Sequence, residues 1–390
     1  MINVSIAQTH MQRKTFLYRL YPSKPQVRLL DATLETCRHW YNQCLAERKN
    51  AYEQEQHTVG KYEQLAKVKD VKTTNPYAKN VHSHILQTVV QDLDKAFASF
   101  FRRVKTGQKA GYPRFRGRNR WRSFGFKEIL NGFKVDGRRL KLSGIGRVAI
   151  RWHRPIEGQI KTLRISKKAG KWYASFSCVV DAVPLPATGT AIGLDVGLTA
   201  LVTTSTGEKV ENPRWYRSSQ KALRVAQRRV ARRMKGSNRR RKAVRILQHK
   251  HEHITNQRKD FLNKLVHGFI SRYDVIAVEN LNIARMVHGN LAKSILDAGW
   301  NYFVMQLTHK AESAGRKLEQ VDPRYTSKTC SQCEKQFETL TLKDRWVQCD
   351  CGLSLDRDHN AAINILKRAG YVRREPSSSI EGFSREAVGL

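Results

Sequence analysis

Four cysteines and a few acidic residues are the side chains here whose types and spacing could do chemistry. Cys330 and Cys333 are separated by two residues, fifteen residues follow, and Cys349 and Cys351 are separated by one. Two tight thiolate pairs suit a tetrahedral zinc site, with iron as the other ion that four sulfurs accept. Directly after them comes DRD, whose Asp356 and Asp358 lead into the helix-like run HNAAINI. Two more acids sit on apolar runs: Asp195 within GLDVG and Glu279 at the end of DVIAVE. Asp195, Glu279 and Asp358 are 84 and 79 residues apart, so only a fold can assemble them. Clustered carboxylates repel one another unless cations lie between them, and hard oxygen ligands suit Mg²⁺ or Mn²⁺. Two such ions about 4 Å apart can activate a water and stabilise the leaving oxygen in phosphodiester hydrolysis.

The rest of the chain must position these groups. At 390 residues and 40% hydrophobic content it has room for two or three domains with real cores. Its formal charge of +39 is self-repelling and calls for a polyanion, of which nucleic acid is the obvious one. No apolar run of about 18 residues and no signal-peptide core is present, so a membrane partner is not expected and the cytoplasm is. The seven cysteines are an odd count, which argues against a closed disulfide framework. Cys37, Cys44 and Cys178 stand singly among apolar neighbours and read as packing residues.

In chain order, residues 14–21 alternate as a half-buried strand, with Phe16, Tyr18 and Leu20 on one side and Pro22 ending it. Met11, just ahead of that strand, is a candidate start of the chain. A helix is expected from 23 to about 52, with Leu29, Thr33, Cys37, Tyr41 and Cys44 on one face, followed by shorter helix and loop over 55–80. Ile85, Val89, Leu93, Phe97 and Phe100 give a strong helical period over 83–105. Residues 102–122 then hold nine basic residues and no acidic ones, including Arg114, Arg116 and Arg122, with Phe115 and Trp121 among them. Cations contact phosphates without reading sequence, and aromatics stack on bases. Short alternating strands between 124 and 183 suggest a small β-barrel, which the first strand would join. Residues 183–189, VPLPATG, read as a linker.

Beyond Asp195, two helices are expected over 214–234 and 238–271, split at Gly236-Ser237. Leu223, Ala226, Val230 and Met234 form a stripe on the first, and Val244, Leu247, His251 and Ile254 on the second. Between Arg214 and Lys259 there are 17 Lys or Arg against one acid, Glu252, with Arg228, Arg229, Arg232, Arg239, Arg240 and Arg241 the densest part. So much like charge on one face fits a nucleic-acid surface. His249, His251 and His253 diverge around a helix and do not make a ligand set. A helix over about 293–314 and a strand over 316–322 lead to the cysteines.

The ordered set GLDVG, VEN and DRDHNAAINI resembles the RuvC-type nuclease of the RNase H-like fold, in the version found in the TnpB family of insertion-sequence proteins related to type V CRISPR effectors. The likeness extends through RLYP, GYPRFR, the basic helix pair, the DAGW of 297–300 and TSKTCSQC. It implies an α+β multidomain protein: an extension at 1–12, an interrupted wedge β-barrel at 13–23 and 106–184, and a helical recognition insertion at 24–105. A RuvC-like α/β nuclease at 190–325 and 353–370 would follow, with a zinc ribbon at 326–352 and a mobile tail at 371–390.

The resemblance further implies RNA-guided, Mg²⁺-dependent cleavage of double-stranded DNA beside a short adjacent motif. The guide RNA would come from the transposon end, and the chain would act as a monomer with it. Catalysis falls on Asp195, Glu279 and the second aspartate of DRD, Asp358, which opens the helix; Asp356 is left as a capping or supporting group. Zn²⁺ would sit in the ribbon. The helix at 83–105 and the loop near Ser123 would read the adjacent motif, with Gln87 the named candidate because an amide can bond an adenine edge bidentately. Two alternatives are a guided DNA-binding repressor that does not cut and a strand-transferring transposase.

Overall fold

The computed structural model describes residues 11–341 and 343–371, and it divides into two units, before and after Asp181. Most of the expected amino-terminal extension and all of the tail beyond Tyr371 lie outside the described residues.

The first unit begins with β1 (Met11–Tyr21), three residues earlier than expected. Alternation buries Phe16, Tyr18 and Leu20 completely. Pro22 ends the strand, and Ser23 opens α1 (Lys24–Glu55) through a capping box with Gln26. The buried face of α1 carries Leu30, Thr33, Leu34, Cys37, Tyr41 and Cys44, whereas the expected Leu29 is exposed. One stripe residue was therefore misplaced by a single position, because the inward face of this long helix is wider than one residue per turn. The short helices α2 (Lys61–Ala66), α3 (Val68–Thr74) and α4 (Pro76–Lys79) fill the polar stretch before α5 (Ser83–Lys105).

Seven strands complete this unit: β2 (Ser123–Phe126), β3 (Glu128–Ile129), β4 (Gly132–Asp136), β5 (Arg139–Leu142), β6 (Gly146–Arg151), β7 (Gln159–Lys168) and β8 (Lys171–Asp181). The sheet order is β2-β7-β8-β1-β6-β5-β4-β3. β2 and β3 lie at opposite ends of that order, yet only Lys127 separates them in the chain. The sheet must therefore curl until its ends nearly meet, which makes the barrel. α1–α5 interrupt it between β1 and β2, and their inner faces join the sheet in one hydrophobic core, with Leu34, Val89 and Leu93 beside Phe124, Phe133 and Phe176.

The second unit holds a five-stranded sheet of order β11-β10-β9-β12-β13. Its elements in sequence are β9 (Ala191–Val196), β10 (Ala200–Thr204), β11 (Lys209–Glu211), α6 (Trp215–Ala231), α7 (Asn238–Arg272) and β12 (Val275–Glu279). After these come α8 (Ile283–Met286), α9 (Ala292–Ala298), α10 (Trp300–Ala314) and β13 (Lys317–Val321), then a hairpin of β14 (Trp346–Gln348) and β15 (Ser354–Asp356), and α11 (Arg357–Arg368). β9 pairs parallel with β12 and β12 parallel with β13, whereas β10 runs antiparallel to β9. This is the α/β nuclease architecture that the resemblance implies.

Three helix expectations shift. The helix over 293–314 is broken at Gly299, whose φ of +76° favours glycine and starts α10 in a new direction. α6 stops at Ala231, so Met234 leaves its stripe and is 77% exposed. On α7 it is Ala243, Glu252 and Ile254 that are buried, and His251 points to solvent.

Candidate catalytic and metal centres

Strand alternation sorts the two central strands into opposite faces. Ile192, Leu194, Ile276 and Val278 pack into the core with Leu262, Val266 and Phe269 of α7 and Phe303 and Leu307 of α10. Gly193, Asp195, Ala277 and Glu279 therefore point to the other face, which α11 covers. Register brings the acids together: Val278 pairs with Leu194, so the next step of the parallel ladder sets Glu279 beside Asp195. Adjacent strands lie about 4.8 Å apart.

Gly193 explains how the third acid arrives. A Cβ there would lie 2.2 Å from the carbonyl oxygen of Ala362 and 2.9 Å from Leu366, so α11 rests directly on the bare backbone of β9. Asp195 lies two residues beyond Gly193 along the strand, about 6.6 Å, and Asp358 lies one turn before Ala362 along the helix, about 6 Å. The two steps match. Asp358, second residue of α11, thus reaches the level of Asp195.

The electrostatics record this convergence. Burial, then the carboxylates of Glu279 and Asp358, push Asp195 up to about 8, with Arg357 acting in the opposite direction. Burial also raises Glu279, against the hydroxyl of Thr326, which donates to Glu279 Oε1 at 2.5 Å. Asp358 has Arg357 Nε at 3.9 Å and Arg345 Nη1 at 4.0 Å. Asp356 is built differently. It is the N-cap of α11, accepting from the backbone N–H groups of Asp358 and His359, and it pairs with Lys209 at 2.7 Å. Burial alone would raise Asp356, but Lys209 and those N–H groups together hold it below the usual carboxylate range. The capping role considered for Asp356 is the one it has.

The donor set fits hard divalent cations: half-buried carboxylates whose mutual repulsion raises Asp195 and favours a cation between them. Among the described residues, the four cysteines are the only group of three or more Cys, His, Asp or Glu side chains whose ligand atoms all lie within 4.8 Å of one another. The ligand oxygens of Asp195, Glu279 and Asp358 do not all come within that distance of one another.

In the ribbon, Cys330 and Cys351 have their sulfurs 3.6 Å apart and Cys333 and Cys349 have theirs 3.5 Å apart. A tetrahedron with Zn–S bonds of about 2.3 Å has edges of roughly 3.8 Å. The arrangement fits zinc. Each pair sits in a tight turn, closed by Cys330 N–H to Lys335 O in one and Cys349 N–H to Leu353 O in the other. Cys37, Cys44 and Cys178 are fully buried, and burial raises all three thiols, as packing residues require.

The expected nucleic-acid residues divide. In the basic segment, Arg116 is pinned by its backbone, which donates to Asn42 Oδ1 and accepts from Asn42 Nδ2 and Arg38 Nη1. Trp121 packs against Tyr41 with ring centroids 5.0 Å apart, so it anchors the segment to α1. Arg114, Phe115 and Arg122 are left exposed. On the helical hairpin Arg228, Arg229, Arg232, Arg239 and Arg241 are exposed, but Arg240 donates to the carbonyls of Val230 and Arg233 and caps α6, and Arg241 donates to Gly236 O. Gln87 is half-buried on α5. Ser123 opens β2 instead of lying in a loop, and it accepts from Arg164, which also grips Asp92.

Several residues that hold these elements together escaped the sequence reading. Asp297 of DAGW accepts from the N–H groups of Tyr216 and Arg217 at the start of α6 and from Arg258 of α7, tying the base of the hairpin. Thr326, Asn360 and Asn364 join the ribbon to α11. Two asparagines spaced i, i+4 among the small and apolar residues of the NAAINIL run were a readable signal.

Comparison with known proteins agrees with this geometry. Residues 175–289 match the OrfB IS605 family model, described as "Probable transposase", and residues 300–365 match the TNB domain model of Cas12f1-like proteins. Residues 11–57 match a model described as a helix-turn-helix domain, although that span here is β1 followed by the single long helix α1. A Streptomyces pristinaespiralis protein is 36% identical over 91% of this chain and 89% of its own length, and Escherichia coli InsQ is 29% identical over 90% and 91%. Both carry the name "Putative RNA-guided DNA endonuclease". A solved Cas12f1–sgRNA–target DNA complex shares the fold at a TM-score of 0.59 and 12% identity, covering 91% of this chain and 98% of that one.

Proposed function

We propose, this chain belonging to the TnpB family, that it is an RNA-guided endonuclease that cuts double-stranded DNA beside a short adjacent motif, with a guide RNA from the transposon end. The observation that carries the reading is the convergence of Asp195, Glu279 and Asp358 on the α11 face of the central sheet. A protein that only bound DNA would gain nothing from holding three acids against their repulsion in a chain of +39.

The three carboxylates would hold Mg²⁺ or Mn²⁺. When bound there, the ions supply water activation and stabilisation of the leaving oxygen. The residues' own part is to be fixed before substrate arrives: Asp195 and Glu279 by the strand ladder, Asp358 by the first turn of a helix that Asp356 caps. The exposed arginines of the hairpin and of the segment around Phe115 offer sequence-independent contacts to guide and target phosphates. Gln87 is the proposed reader of the adjacent motif. The ribbon, holding Zn²⁺, fixes the segment that enters α11.

The test is to purify the chain with its RNA, sequence that RNA, and offer a matching plasmid with Mg²⁺. Linearisation that disappears in Asp195→Ala, with guided binding retained, is expected. Undiminished cutting by that variant, or joined donor and target products from the unmodified chain, would overturn the reading.

A further inference from the structure

We propose that Thr326 is a positioning residue of the catalytic centre and that the ribbon acts on DNA cutting through it. The inference rests on the endonuclease reading above. Glu279 is the last residue of β12, where the ladder with Val321 of β13 fixes its backbone but not the rotamer of its side chain. The Thr326 hydroxyl has one proton to give, and its contact with Glu279 Oε1 at 2.5 Å is shorter than its contact with Pro323 O at 3.1 Å. That bond occupies one oxygen and sets the rotamer, leaving Oε2 for a ligand.

Thr326 is 3% exposed and lies in a single 3-10 turn, Thr326–Lys328, four residues ahead of Cys330. Three residues of such a helix do not hold themselves. What holds this turn is α11. Asn364 Nδ2 donates to Thr326 O at 2.8 Å and to Thr329 O at 2.6 Å. Asn360 Nδ2 donates to Thr329 O at 2.8 Å while its Oδ1 accepts from Ser331 N–H at 2.9 Å. Lys367 Nζ closes the latch on Ser331 O. Both asparagines are buried, at 0% and 5% exposure, and one helical turn apart they face the same way.

Two of the three acids therefore share one polar latch. The helix that delivers Asp358 also grips the turn that orients Glu279, and the first zinc ligand of the ribbon is continuous with that turn. Groups that orient metal ligands from outside matter about 10- to 100-fold in affinity or activity when lost.

The decisive variants are Thr326→Val, which keeps shape and removes the proton, and Thr326→Ser, which restores it. In the full chain free of nucleic acid, Mn²⁺ binding followed by electron paramagnetic resonance should weaken about tenfold in Thr326→Val and return within about threefold in Thr326→Ser. Single-turnover cutting by the RNA complex should follow the same order, with zinc content and guided DNA binding unchanged. Asn364→Ala, which keeps the hydroxyl but frees the turn, should shift Mn²⁺ binding in the same direction and serves if Thr326→Val does not fold. Wild-type Mn²⁺ affinity in both Thr326→Val and Asn364→Ala, or equal impairment in Thr326→Ser and Thr326→Val, would overturn the proposal. Full-rate cutting by Glu279→Gln would instead remove the endonuclease reading beneath it.

Discussion

Asp195 should make the chain less stable without divalent cation as pH rises, and Asp195→Asn should abolish that penalty. Unfolded, the carboxyl ionises near 3.8; folded, burial and the neighbouring acids raise it to about 8. Between those values the folded state holds a proton that the unfolded state has released. The associated stability is fully present below the lower value and is lost as pH climbs towards the upper one. The slope is about 1.4 kcal/mol per pH unit up to about pH 7.5, flattening above 8. For a unit of this size that is about 4 °C per pH unit in melting temperature. The assay is thermal unfolding from pH 6 to 9 with zinc retained and Mg²⁺ omitted, read as wild type minus Asp195→Asn so that titration of the many shared charges cancels. With saturating Mg²⁺ the slope should vanish for wild type, because the ion keeps the folded carboxyl ionised, as the unfolded one already is: apparent affinity should rise about tenfold per unit from pH 6 to 8. Parallel profiles for the two proteins without Mg²⁺, or an affinity flat across that range, would refute the reasoning.

Four further outcomes follow from the geometry. Cys330→Ser, or stripping zinc, should abolish plasmid cutting although no cysteine approaches the acids; a zinc-free protein that still cuts at full rate would contradict the role given to the ribbon. Gly193→Ala drives a Cβ onto the backbone of α11 and should cost about 3 kcal/mol by chemical unfolding, with loss of cutting. Arg228→Ala, Arg229→Ala and Arg232→Ala together should weaken guide-RNA binding and lower its salt slope by about two. Arg240→Ala, whose guanidinium caps α6, should lower stability and leave that slope close to wild type.

The three candidate acids were readable because each stands where a local pattern changes, near a strand end or a helix start, and such junctions are visible in one sequence. The four-cysteine cluster was readable from spacing alone. What escaped depends on partners distant in the chain. Nothing near Asn360 announces that it will meet Ser331, 29 residues away. Gly193 was seen as part of a motif, but its reason, the close approach of α11, exists only in three dimensions. Leu29, Met234 and His251 show the limit of periodicity, which finds a stripe but not where a helix stops or how wide its buried face is. Trp121 and Arg240 show the matching limit of composition: a basic, aromatic stretch identifies a surface, yet some of its members are spent holding that surface in place.

The interrupted barrel also constrains how the chain can be made. Residues 11–20 of β1 pair with residues 172–181 of β8, so the first strand made waits for the last strand of its unit before its longest ladder can form. At a synthesis rate of 5–20 residues per second the wait is roughly 10–30 s. Throughout it, an alternating strand with unpaired edges and a stretch of nine cations remain without their final neighbours. α1, with its own capping box, and α5 can form early and give the apolar face of β1 somewhere to rest. The helical insertion is then a provisional shelter as well as a finished domain element, and a nascent chain lacking it should be captured by chaperones or aggregate before its barrel closes.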